Sequence, residues 1–147
     1  MKTIIFSFLV ILVSLAFIRP TSIENVWVTD YEEAFIKAKK ENKHVLINFT
    51  GSDWCGWCKK LDREVFSQTE FKEYAKENLV LLKLDFPRRI PQSAEVKRKN
   101  QEYAQKFAVR GFPSIFIVQA NQNVVLRTGY KAGGPVGYIK HIERAIK

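Results

Sequence analysis

The stretch V-L-I-N-F-T-G-S-D-W-C-G-W-C-K-K-L, Val45 to Leu61, decides the fold. His44 to Thr50 is a short, mostly apolar run of β-branched and aromatic residues, the pattern of a buried strand. Gly51-Ser52-Asp53 is a turn, and a helix is expected from Cys55 to about Val65. Cys55 and Cys58 are the only cysteines in the 147 residues. They sit where a strand hands over to a helix.

Working outward, Val26-Trp27-Val28 reads as a short strand. Asp30 precedes Y-E-E-A-F-I-K-A-K-K-E with Glu33 three residues on, a capping-box signature for a helix start. A short helix is expected over Thr69–Glu77 and a second buried strand over Leu79–Asp85. Pro87 and Pro91 make Phe86 to Ser93 a loop. Residues 93–107 form a helix with Ser93 as N-cap. Ser114–Gln119 and Val124–Thr128 are strands close enough for a hairpin, and Gly133-Gly134-Pro135 starts a last helix running to Ile146. Helices alternating with buried strands give an α/β fold in three layers, α/β/α, with a mixed central sheet and a C-terminal β-hairpin.

The N-terminal segment has its own character. Lys2 is followed by an uncharged apolar stretch from Ile4 to Ile18, ended by Arg19. This describes a secretory signal peptide, with Ser14 and Ala16 placing cleavage after Ala16. The expected division is therefore a signal peptide and lead-in over 1–22 and one domain over 23–147. A membrane anchor is the competing reading, but the run is shorter than the ~20 residues that span a bilayer. Export to a bacterial periplasm or the exterior follows, where thiols form disulfides.

The formal charge is +9. Basic clusters stand at Lys37/Lys39/Lys40, Arg88/Arg89 and Lys97/Arg98/Lys99, yet no reading element or stacking platform for nucleic acid accompanies them. Nucleic-acid binding is not expected.

Three chemistries compete for Cys55 and Cys58. A structural zinc site needs four ligands, and only His44 and His141, on distant segments, add to the thiols. A disulfide over so short a loop constrains the unfolded chain little. Redox exchange fits the setting better. A cysteine at a helix N-terminus has its thiolate favoured by free N–H groups and the helix dipole. A second cysteine three residues on lies near the same helix face, one turn deeper. Cys55 is thus the expected exposed nucleophile and Cys58 the shielded resolver. Trp54 and Trp57 flank them as an apolar rim, Trp57 exposed and Trp54 partly buried. Trp27 is expected in the core.

Two segments make the chain resemble the thioredoxin-fold family, and the exported bacterial thioredoxin-like proteins in particular. One is the tryptophan-preceded CxxC at its strand–helix junction, where F-T-G-S-D-W-C with K-K-L is similar to the thioredoxin-like domain of thiol:disulfide interchange proteins. The other is V-R-G-F-P-S-I-F-I-V, Val109 to Val118, in which Pro113 matches the family's cis-proline. Gly129 after the hairpin is a further match. The resemblance implies that Phe112 and Pro113, with Trp54, Gly56 and Trp57, hold an extended substrate segment over Cys55. It also implies a departure. Where relatives carry a buried acid on the strand before the motif, this chain has Asn48, so Lys83, Asn48 or water would support proton transfer. Asn48 itself is expected as a satisfied buried amide. Asp53 would oppose a Cys55 thiolate, and Lys59 and Lys60 would favour it.

The expected activity is an exported thiol–disulfide oxidoreductase, reducing protein disulfides, with protein thiols and a redox partner as its company. No metal and no cofactor beyond the two sulfurs are expected, and the chain is expected to be a monomer. A second reading is a binding module of the same fold with little redox turnover. A third is a dithiol that carries Cu(I).

Overall fold

The computed structural model describes residues 27–147, so the expected signal segment and Val26 lie outside the described residues. Four strands, β1 (His44–Thr50), β2 (Leu79–Asp85), β3 (Ser114–Val118) and β4 (Val124–Thr128), form one mixed sheet in the order β2-β1-β3-β4. Strand β1 runs parallel to β2, in a register pairing Asn48 with Lys83 and Thr50 with Asp85. Strand β3 lies antiparallel to β1 and joins β4 in a hairpin. The expected first strand contracts to one parallel bridge, Val28 to Leu82, at the outer side of β2.

Side-chain alternation along β1 assigns the two faces of the sheet. Val45, Ile47 and Phe49 face α1 (Tyr31–Glu41) and α4 (Ala94–Lys106), packing with Tyr31, Phe35, Ala104, Phe107 and Phe116. Leu46 faces the other way, toward α2 (Gly56–Leu61), α3 (Thr69–Asn78) and α5 (Gly134–Ile146), where Leu61, Val65, Phe71, Ile115, Tyr138 and Ile142 close a second core. Each fully buried side chain of this size contributes ~1.5–3 kcal/mol relative to exposure. The α/β class and the thioredoxin-like layering are those the sequence led us to expect.

The helix starts follow the predicted caps. Asp30 Oδ1 accepts the Glu33 N–H at 2.9 Å, and Ser93 Oγ accepts that of Val96 at 3.2 Å. Cys55 is the N-cap of the helix expected from this point, in keeping with its place at a helix N-terminus. The expected run to about Val65 is revised: after Leu61 the helix widens into a π-turn over Asp62–Phe66. The π-turn carries Val65 and Phe66 into the second core. Trp27 is only partly buried, edge-on to Phe66 at 5.4 Å, so it borders the core instead of filling it.

Candidate active site

The site lies at the carboxyl ends of the parallel pair β1 and β2, where open α/β sheets place their crevices. There the second face turns polar. Beyond Leu46 and Leu81 come Asn48, Thr50, Lys83 and Asp85. The turn after β1 is fixed by N–H groups of Trp54 and Cys55 donating to the Gly51 carbonyl, and by Ser52 donating through N–H and Oγ to the Asp85 carboxylate.

Cys55 has extended backbone, and the Cys58 N–H donates to its Sγ at 3.2 Å. The two sulfurs are joined in a disulfide, with the Cα atoms 5.3 Å apart. One expectation needs correction. Cys55 is not the exposed member of the pair: it is 6% exposed and Cys58 5%. Both cysteines are buried, so accessibility does not distinguish them in the closed form. The N-cap position does, because only Cys55 receives a helix amide on its sulfur.

A wall of aromatic rings stands beside the dithiol. The Trp54 indole lies directly on Gly51, where a Cβ would come within 2.5 Å of the ring. Its Nε1–H donates to the Phe86 carbonyl at 2.8 Å, and its ring meets Phe112 edge-on at 5.8 Å. Phe86 packs on Phe112 at 5.1 Å. The Phe112–Pro113 peptide is cis, as the resemblance implies. Contact through Trp54 therefore brings the segment fifty residues downstream against the cysteine motif. Gly129 packs close to the Pro113 carbonyl, which a Cβ there would approach to 3.1 Å. Trp57 is 57% exposed, as expected, and leans on Tyr130 at 5.1 Å, with Lys60 Nζ about equally close to both rings. Gly56 is exposed, and a Cβ there would point into open space.

Behind Cys58 is a polar cavity of about 160 Å³, lined by Asn48, Thr50, Lys83 and Asp62 among others. The two residues singled out for proton transfer thus share a cavity with Cys58. Asn48 departs from its expected role as a satisfied amide, because its buried Oδ1 has no hydrogen-bond partner among the described residues. Lys83 is half-buried, its Nζ 5.2 Å from the Trp27 ring centroid. The cavity is polar and roomy enough for water, which would need such partners.

The charges near the motif are not arranged as their sequence positions suggest. The Asp53 carboxylate accepts the backbone N–H groups of Arg88, Arg89 and Ile90, the shortest at 2.6 Å. Partial burial opposes its charge, but these three donors outweigh it and hold the carboxyl below its ordinary range. Lys59 Nζ bonds the Asp53 carbonyl at 2.9 Å, and Lys60 is occupied by Trp57 and Tyr130. The Arg88 guanidinium sits 3.8 Å over the Trp54 ring. Sequence reasoning missed the anchoring of this loop; its only trace was the basic, proline-flanked run beside the motif in function but not in sequence. Among the described residues, no cluster of three or more His, Cys, Asp or Glu side chains is placed to hold a metal ion.

A dithiol at a strand–helix junction, faced by a cis-proline loop across a mixed sheet, defines a thioredoxin-fold redox protein. The model of the thioredoxin-like domain family matches residues 31–134, and the chain belongs to that family. It is 34% identical over 129 residues to the disulfide bond reductase DsbH of Chlamydia pneumoniae, spanning 88% of this chain and 78% of that one. The thioredoxin-related protein DsbJ of the same organism is 29% identical over 104 residues, which are 71% of this chain but 30% of DsbJ. Among solved structures, a DsbH oxidoreductase superposes with a TM-score of 0.80 at 34% identity, covering 87% of this chain and 89% of the other. This kinship and the Cys55–Cys58 disulfide make the chain a thiol–disulfide oxidoreductase.

Proposed function

We propose that this oxidoreductase is exported and works as a reductase of protein disulfides. The observation that carries the reading is the placement of Cys55 as helix N-cap, with the Cys58 amide on its sulfur and Phe112 packed on the neighbouring Trp54. A helix amide on the sulfur favours the thiolate, the form that attacks. The printed function of the Chlamydia pneumoniae relative, disulfide bond reduction, supports the direction. The basic start and apolar run of residues 2–18 support export to a periplasm or the exterior.

The Cys55 thiolate attacks one sulfur of a substrate disulfide, and the other substrate sulfur leaves as a thiolate that takes up a proton. Cys58 then loses its proton into the polar cavity, with Asn48 and Lys83 supporting the transfer through water. Its thiolate attacks Cys55, forming the Cys55–Cys58 bond and releasing the second substrate thiol. A dithiol partner returns two electrons and two protons to the closed pair. Trp54, Gly56, Trp57, Phe112 and Pro113 form the surface on which the substrate segment lies. The redox group is the pair of sulfurs, and the working unit is a monomeric domain over 23–147.

Trapping tests the order of attack. Cys58→Ala is expected to accumulate mixed disulfides with substrate proteins, and Cys55→Ala to accumulate none. Equal trapping by both would sink the assignment. The direction is tested by the reduction potential of the Cys55–Cys58 couple against a dithiothreitol series. A value near the ~−120 mV of a dedicated oxidant would overturn the reductase reading, whereas one near ~−270 mV would support it.

A further inference from the structure

The exchange chemistry leaves unused the loop between β2 and α4, with its two adjacent arginines. We propose that Arg88, laid flat on Trp54 at the edge of the dithiol, recognises an acidic side chain on the substrate segment next to the cysteine being reduced. The inference rests on the reductase reading and adds a sequence preference to it.

Arg88 is built differently from the other basic clusters. On α4, Arg98 pairs with Glu102 and Lys99 with Glu95, each one turn along the helix, as an ordinary solvated face does. Arg88 has no such partner: among the described residues, no carboxylate lies within salt-bridge distance of it or of Arg89. The nearest acid in the motif, Asp53, has its carboxylate turned to the backbone N–H groups of residues 88–90. That anchor and the bond from Trp54 Nε1 to the Phe86 carbonyl fix the loop before any partner arrives. One face of the guanidinium is covered by the indole, while the side chain is exposed to solvent.

A guanidinium with one face stacked and its planar fork free is preorganised for a carboxylate, since less side-chain freedom is lost on pairing. Its position supplies the rest. Arg88 lies on Trp54, and Trp54 meets Phe112, the residue before Pro113. A peptide held along Phe112 therefore passes within one ring of Arg88. Arg89, next along the loop, and Arg110, which lines a cleft with Phe112 and Pro113, are both exposed. An anionic lipid surface would instead draw on net charge spread over the molecule, including Lys37, Lys39 and Lys40 on α1, with no need for one anchored fork.

The test uses the full chain with its disulfide closed, which cannot react with a peptide carrying serine in place of the target cysteine. Two such extended peptides are compared, one with Glu on either side of the serine and one with Gln. Affinity is read by fluorescence anisotropy. The Glu peptide is expected to bind about fivefold more tightly at low ionic strength, with the difference fading as salt rises. Arg88→Gln is expected to abolish the difference and Arg88→Lys to keep part of it, whereas Arg98→Gln is expected to leave it intact. Equal binding of the two peptides by the unmodified chain overturns the proposal, as does a Glu preference that survives Arg88→Gln. Arg88-dependent binding to phosphatidylglycerol vesicles without peptide discrimination overturns it in favour of a membrane. Turnover of the matching peptide disulfides separates this inference from the reading beneath it. A Glu preference in binding without turnover counts against the reductase alone; turnover without the preference counts against Arg88 alone.

Discussion

The backbone N–H of Cys58 points at the Sγ of Cys55 from 3.2 Å, so the helix that carries Cys58 also donates to the Cys55 sulfur. In the reduced protein the same donor favours a Cys55 thiolate. Alkylation by iodoacetamide, followed against pH, is expected to show Cys55 reacting with a midpoint below the ~8.5 of a free cysteine. Cys58, inside the polar cavity, should react more slowly. A Cys55 midpoint at or above the free value would remove the electrostatic basis for its role.

Lys83 and Cys58 line one cavity, and in the proposed cycle the step that needs a proton removed is the attack by Cys58. Lys83→Met is expected to leave the first attack unchanged and slow release of the mixed disulfide on the order of tenfold to a hundredfold. Rapid-quench measurement of the two phases separates them. A variant that slows both equally, or neither, would exclude Lys83 from the transfer.

Gly51 is a matter of space. The Trp54 indole lies over it, and a methyl group there would overlap the ring at 2.5 Å. Gly51→Ala is expected to push Trp54 off its bond to the Phe86 carbonyl and to destabilise the fold by ~1–3 kcal/mol. Denaturant unfolding gives the energy, and the shifted Trp54 emission reports the displacement. Native emission together with native stability would show that the ring tolerates the methyl.

Asp53 provides a pH test with a defined sign. Its folded pKa is depressed below the ordinary 3.8, so the stabilisation it gives is fully present above that value. It is lost as pH falls through the lower folded value. The loop at residues 88–90 is therefore expected to hold at neutral pH and loosen only in strong acid, read as exchange of the Arg89 amide hydrogen. Asp53→Asn should expose that amide already at pH 7. Unchanged protection in the variant would mean that the three N–H groups do not depend on the charge.

The bounds of β1 and β2 were legible because each is a short, continuous apolar run ended by a turn residue, and both match the structure residue for residue. The caps at Asp30 and Ser93 were legible because they are local, reaching only three residues along the chain. The π-turn over Asp62–Phe66 was not, since a widened turn follows from how Val65 and Phe66 meet the core rather than from residue propensity. Asn48 was misjudged for a related reason. The sequence places a buried amide on a strand, but whether its oxygen finds a donor depends on side chains from β2 and α2.

The order of elements and the cysteine pair at a strand–helix junction could be read from local pattern and spacing, while the role of the Phe112-Pro113 loop came from the resemblance to thioredoxin-fold proteins. Only the tertiary structure decided that Asp53 spends its charge on a distant loop, that Arg88 lies on Trp54, and that Cys55 is covered almost as fully as Cys58. The first two of these join residues more than thirty positions apart. Their strength depends on burial, direction and competing partners, which exist only once the chain has folded.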